Sequence, residues 1–191
     1  MINLKNKKYL VFDFDGTLDD LIIDWSGSSK GWVELAEKLT GKKQKIIGNS
    51  YVFQGEIIKQ VGKRAATAFQ EFTRTYEMAN YSGHEPKMML INFIEKNQDK
   101  YQFFLWTSNH SEVVLPVLKE LGLVGLFKVI VSRDSVALPK PDPEGFSQIF
   151  IPQTDKIDYL MIGDSDNDRL SAGAAGIDFI DVLDFIKLIN Q

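Results

Sequence analysis

The 191-residue chain contains no cysteine, which excludes a disulfide framework, a thiolate metal site and a cysteine nucleophile. The lack fits a reducing compartment. A basic block is also missing. Lys and Arg number 22 against 26 Asp and Glu, the net charge is −4 and the pI is about 5.3, a balance that argues against a nucleic-acid partner. No apolar run reaches the ~18 residues that a membrane span needs. The opening stretch, MINLKNKKYLVFDFDG, meets acidic residues too soon for a signal peptide. Internal repeats and low-complexity segments are absent. These lacks predict a soluble, cytoplasmic protein with neither a nucleic-acid nor a membrane partner.

What is present is a chain long enough for one domain, or for one domain carrying an insertion. Residues 8–12 form a short apolar run ending in Asp13-Phe14-Asp15-Gly16, which reads as a buried strand followed by a turn. Similar runs recur at Phe103–Trp106, Lys128–Val131, Tyr159–Ile162 and Phe179–Val182. Between them lie helical patterns: Val113, Val114, Val117, Leu118 and Leu121 before Gly122, then Leu170, Ala174 and Ala175, then Leu183–Ile189. Strand and helix alternate, so the expected fold is α/β, a doubly wound (Rossmann-like) parallel sheet of five strands.

One stretch, residues 21–86, breaks the alternation and shows helical spacing with no convincing strand. Trp32, Leu35, Ala36 and Leu39 share a helix face, with Ser28 and Ser29 as candidate caps and Gly41 as a stop. Phe69, Phe72 and Tyr76 make a second stripe. Such a length is far too great for a bare connection. It reads as a small helical cap inserted into a core of residues 1–20 and 87–191, with Pro86 opening a crossover helix over Lys87–Asn97.

Four polar motifs stand at or near the expected strand ends. Asp13 and Asp15 are two apart, so their carboxylates point to one side of the chain's path. Alone, such a pair is also what an acidic turn looks like. Asp164 and Asp168, after the fourth core strand, are four apart at a strand-to-helix turn and share a helix face, whereas Asp166 reads as an aspartate favoured by the helix dipole. Four carboxylates with an oxygen-only donor set suit a hard cation such as Mg²⁺. Thr107-Ser108-Asn109 offers a hydroxyl and backbone N–H groups for phosphate oxygens, or an ordinary helix cap. Lys140 is held between Pro139 and Pro141, which stiffen the segment and aim its ammonium. In a doubly wound sheet these ends meet at the topological switch point, where ligands bind. Together they provide a carboxylate nucleophile, an acid/base, a cation site and a phosphate clamp.

In these motifs and their order the chain resembles the haloacid dehalogenase-like superfamily, on its phosphatase branch, from Lys8 to about Asp181. The resemblance implies that Asp13 is the nucleophile forming an aspartyl-phosphate and Asp15 the general acid/base. It implies Mg²⁺ held by Asp13, the Asp15 carbonyl, Asp164 and Asp168, and phosphate bound by Thr107, Ser108 and Lys140. Asp20 falls at a position often acidic in the family, beside the hinge into the cap. Dehalogenating relatives lack the second aspartate, so Asp15 favours phosphate ester hydrolysis.

The expected partner is a small phosphorylated metabolite, such as phosphoglycolate or a sugar phosphate, and the expected assembly a monomer or small homo-oligomer. Two alternatives stay open: a phosphomutase using the same motifs, and a catalytically silent phosphate-binding or signalling protein. Nine basic against seven acidic residues make the cap mildly basic, and Lys59, Lys63 and Arg64 are its candidate substrate-facing cations. Trp25 and Trp32 read as cap packing, and His110 lies at the rim of the site without an assigned role. The small residues of Gly173-Ala174-Ala175-Gly176 suit close helix packing.

Overall fold

The computed structural model describes residues 2–190. In chain order, β1 (Tyr9–Phe12) is followed by β2 (Asp19–Ile23), the helices α1 (Ser28–Thr40), α2 (Ser50–Val61) and α3 (Lys63–Asn80), and the returning strand β3 (Tyr81–Pro86). Then come α4 (Met88–Lys96), β4 (Gln102–Trp106), α5 (Ser111–Glu120), β5 (Phe127–Val131) and the short α6 (Phe146–Ile149). The chain finishes with β6 (Tyr159–Gly163), α7 (Asp166–Ala175), β7 (Asp178–Asp181) and α8 (Val182–Ile189).

Five strands form a parallel sheet in the order β5-β4-β1-β6-β7. Alternating side chains divide the apolar residues between its two faces. Leu10, Phe12, Phe103, Leu105, Leu160 and Ile162 pack with α4, α5 and α8 on one side. Val11, Phe104, Trp106, Tyr159 and Met161 pack with α6 and α7 on the other. Because both faces are covered, the strands read as continuous apolar runs. The chain leaves β1 toward β4 and β5, then crosses back to β6 on the far side of β1. That reversal opens a crevice at the carboxyl end of β1. Among the described residues no helix is long and apolar enough to cross a membrane.

Several expectations are corrected at element boundaries. Residues 21–86 do contain strand: β2 and β3 pair antiparallel, Asp19 opposite Pro86 and Leu21 opposite His84. Backbone pairing defines this ribbon, and YSGHEP carries too little apolar alternation to announce it. Pro86 ends β3 rather than opening a helix; Lys87 is the cap residue of α4, and its N–H donates to Leu18 O at 2.9 Å. Ser28 and Ser29 lie inside α1, whose cap is Gly27, and the Ser28 hydroxyl donates to Trp25 O. Val182 starts α8 instead of ending β7. In α7 the buried Ala172 and Ala175 pack, while Gly173 faces open space and Gly176 ends the helix at φ +74°.

The three cap helices have their own apolar centre of Trp32, Ala36, Phe53, Ile57, Ile58, Ala65, Ala66 and Phe69. Leu138, from the loop after β5, packs against it and seats the cap on the core.

Candidate active site

The site is built on the end of β1. Asp13 continues the strand, its N–H donating to Ile162 O, and its side chain is buried. Lys140 is buried as well. Its Nζ donates to Asp13 Oδ1 at 2.7 Å, to Asp168 Oδ1 at 2.5 Å and to Trp106 O at 2.9 Å. The Asp168 carboxylate takes the Ser165 hydroxyl on its other oxygen. Asp164 stands exposed beside them, and Asp13, Asp164 and Asp168 each offer an oxygen within 4.8 Å of the others. Two glycines make this crowding feasible. A Cβ on Gly16, whose φ is +82°, would sit 2.3 Å from Asp164 Oδ2, and one on Gly163 would sit 2.5 Å from Asp168 Cγ.

Burial, then the Asp168 charge, lifts the Asp13 carboxyl well above its usual range against the pull of Lys140. Burial depresses the Lys140 ammonium, yet Asp13 and Asp168 outweigh it and raise its pKa. Although Asp164 is exposed, partial loss of water around its carboxyl, then the Asp168 charge, raises it too. Three carboxylates thus face a single ammonium. A divalent cation would cancel the excess, and the all-oxygen donor set fits Mg²⁺. Asp15 is half-buried; its carboxylate accepts the Leu21 N–H at 2.8 Å, and burial pushes it up to about 6.

The cavity over Asp13 measures about 170 Å³ and is lined by Asp13, Asp15, Ser108, Lys140, Asp164 and Asp168 from the core. Thr107 does not line it. That side chain is buried beneath the loop, its hydroxyl donating to Asn109 Oδ1 at 2.9 Å and accepting the Asn109 N–H at 3.1 Å. Asn109, which the sequence placed in the same motif without a side-chain role, does line the cavity. From the cap, Trp25 and Tyr51 close the space. Trp25 stacks on Tyr76 and so both packs and lines the site. Tyr51 carries no local sequence signal, because only the folded cap brings it here.

The other candidates lie elsewhere. Lys59 pairs with Asp142 at 3.3 Å, Lys63 and Arg64 are exposed, and none of the three lines the cavity. His110 caps α5, its Nδ1 accepting the Glu112 N–H. Asp20 pairs with Lys87 across the base of the β2–β3 ribbon, and Asp166 pairs with Arg169 in solvent. Asn49, the N-cap of α2, donates to Asn167 Oδ1 at 2.6 Å and ties the cap to the Asp164–Asp168 turn.

A doubly wound parallel sheet that aims a buried aspartate and lysine into a crevice under inserted helices is the architecture of a capped α/β protein with a ligand site at its switch point. A family model described as haloacid dehalogenase-like hydrolase matches residues 10–182, and the chain belongs to that family. The chain is 26% identical over 193 residues to a phosphoglycolate phosphatase of Vibrio cholerae, covering 91% of this chain and 83% of that protein. A phosphoglycolate phosphatase of Colwellia psychrerythraea is 25% identical, covering 94% and 85%. Among solved structures, a HAD-superfamily hydrolase of subfamily IA from Geobacter sulfurreducens superposes with a TM-score of 0.55 at 18% identity, covering 92% and 87%.

Proposed function

We propose that the chain hydrolyses a small phosphate monoester in two displacements, through an aspartyl-phosphate on Asp13. The observation that supports this reading best is the Lys140 contact with Asp13 and Asp168 inside a cavity roofed by the cap. Lys140 occupies Asp13 Oδ1, leaving Oδ2 without a hydrogen bond among the described residues and able to attack phosphorus. The bond from phosphorus to the leaving oxygen breaks, and Asp15 gives that oxygen its proton. Asp15, now a carboxylate, takes a proton from water as the water attacks the phosphorus of the acyl phosphate. The bond to Asp13 then breaks, releasing inorganic phosphate and restoring both side chains. A pKa of about 6 lets Asp15 serve as acid and then as base near neutrality.

Ser108 and Lys140 would hold phosphoryl oxygens, and Thr107 supports them from beneath through Asn109. Asp13, Asp164, Asp168 and the Asp15 carbonyl would hold Mg²⁺, which when bound neutralises charge on the phosphoryl group. A structural neighbour from Bacillus subtilis, a HAD-hydrolase at 20% identity and TM-score 0.51, is described as bound to magnesium. The relatives named phosphoglycolate phosphatase and the small cavity favour a compact substrate such as phosphoglycolate.

Phosphate release should be measured from phosphoglycolate, sugar phosphates and an aryl phosphate, with and without Mg²⁺. Acid quenching during turnover should trap phosphate on the wild type and not on Asp13→Asn. A folded protein that releases phosphate from no member of the panel at any Mg²⁺ concentration would sink the proposal.

A further inference from the structure

Glu77, near the end of the cap helix α3, is fully buried. No Lys or Arg pairs with it among the described residues. A buried carboxylate without a cation is expensive unless hydrogen bonds satisfy it. Here both donors come from one place on the core. Asn109 Nδ2 donates to Glu77 Oε1 at 3.0 Å, and the His110 N–H donates to Oε2 at 2.8 Å. These residues belong to the loop between β4 and α5 that carries Thr107 and Ser108.

We infer that Glu77 is a positioning residue for the phosphate-binding loop, acting from the cap through Asn109 and His110. The inference rests on the phosphatase reading for its use of the loop. Because Glu77 Oε1 accepts from Asn109 Nδ2 while Oε2 accepts the His110 N–H, Glu77 selects the orientation of the Asn109 amide with Nδ2 toward α3. Asn109 Oδ1 then faces Thr107 and takes its hydroxyl proton, while the Thr107 oxygen takes the Asn109 N–H. Without Glu77 the amide is free to turn over, and the donor–acceptor order of the loop is lost. Arg133 N–H, donating to Asn109 O at 2.9 Å, pins the same residue from the β5 side.

Because Glu77 rides on the cap, seating α3 and ordering the loop are one event. By reciprocity, a phosphoryl group that needs the ordered loop favours the seated cap. The sequence offers no cue to this link: Glu77 sits in an ordinary helical stretch, 32 residues before Asn109.

The test compares Glu77→Gln and Glu77→Ala with a control on the same helix and interface, Gln70→Ala, which loses the Gln70 donation to Val136 O. The Glu77 variants should raise KM and the inhibition constant for inorganic phosphate together, by roughly tenfold for Ala and less for Gln, as a lost charge-assisted hydrogen bond implies. The Mg²⁺ requirement should hold, and Gln70→Ala should leave the phosphate constant within about twofold. A second readout needs no turnover. The His110 amide should exchange with solvent roughly tenfold faster in Glu77→Gln, because its only acceptor is weakened. Unchanged exchange at His110, or unchanged phosphate inhibition in a Glu77 variant that melts as a folded protein, overturns the inference. A wild type that neither hydrolyses nor binds phosphate overturns the phosphatase reading instead, and the exchange comparison still decides the role of Glu77.

Discussion

Asp13 is held where three carboxylates compete for one ammonium, and the opposing demands of stability and activity should separate there. Asp13→Asn keeps the shape and removes the proposed nucleophile, so kcat should fall at least about a thousandfold, roughly 4 kcal/mol. In Mg²⁺-free buffer its melting temperature should equal or exceed that of the wild type, because a buried like-charge repulsion is relieved. Steady-state kinetics and thermal melts check both, and an Asn variant that melts below the wild type in Mg²⁺-free buffer would contradict the electrostatic account. Glu77 gives a second, pH-resolved expectation. Burial raises its carboxyl to about 7, so between its unfolded value of 4.5 and 7 the folded state holds a proton that the unfolded state has lost. Its contribution to stability is therefore full at low pH and shrinks as pH climbs through that window, by roughly 3 kcal/mol in all. Relative to wild type, Glu77→Gln should gain melting temperature from pH 4.5 to 7.5, and parallel curves would reject the assignment. The aspartates and Lys140 were legible because short-range spacing at strand ends carries them. Thr107, Tyr51 and Glu77 were not, since what each side chain faces is set by packing across the cap–core seam.

Helix α2 shows how one element serves both stability and site. Asn49 caps it, accepting the Tyr51 and Val52 N–H groups, and the same side chain reaches Asn167 in the turn between Asp164 and Asp168. Asn49→Ala should lower stability by about 1 kcal/mol through the lost cap. It should also raise the Mg²⁺ concentration for half-maximal rate, since the turn loses its tether. A melting shift with no change in the Mg²⁺ titration would confine Asn49 to capping. The core strands were readable as elements because burial on both faces makes each a short apolar run. The β2–β3 ribbon was hidden for the opposite reason: its cohesion lies in backbone pairing and in the contact of His84 with the buried Asp19, at 2.8 Å. Such pairing over long separation leaves little trace in side-chain order.

For the molecule as a whole, the small cavity under the cap limits what can react. About 170 Å³ under Trp25 and Tyr51 admits a phosphoryl group with a few further atoms. The best small metabolite should exceed an aryl phosphate in kcat/KM, because cap contacts then contribute in the transition state. A phosphorylated peptide hydrolysed with the higher kcat/KM would show that the cap does not close during turnover. The two-stranded ribbon has one more consequence. Asp19 and Pro86 are neighbours across a ladder, so the chain leaves and re-enters the core through adjacent positions. Topologically, everything from Asp24 to Asn80 is the loop of a β-hairpin. An exchange of that loop for a tight two-residue turn, or for another lid of any length, leaves the path of the core chain unaltered, although the contacts that Asn49 and Glu77 make to the site would leave with the old lid.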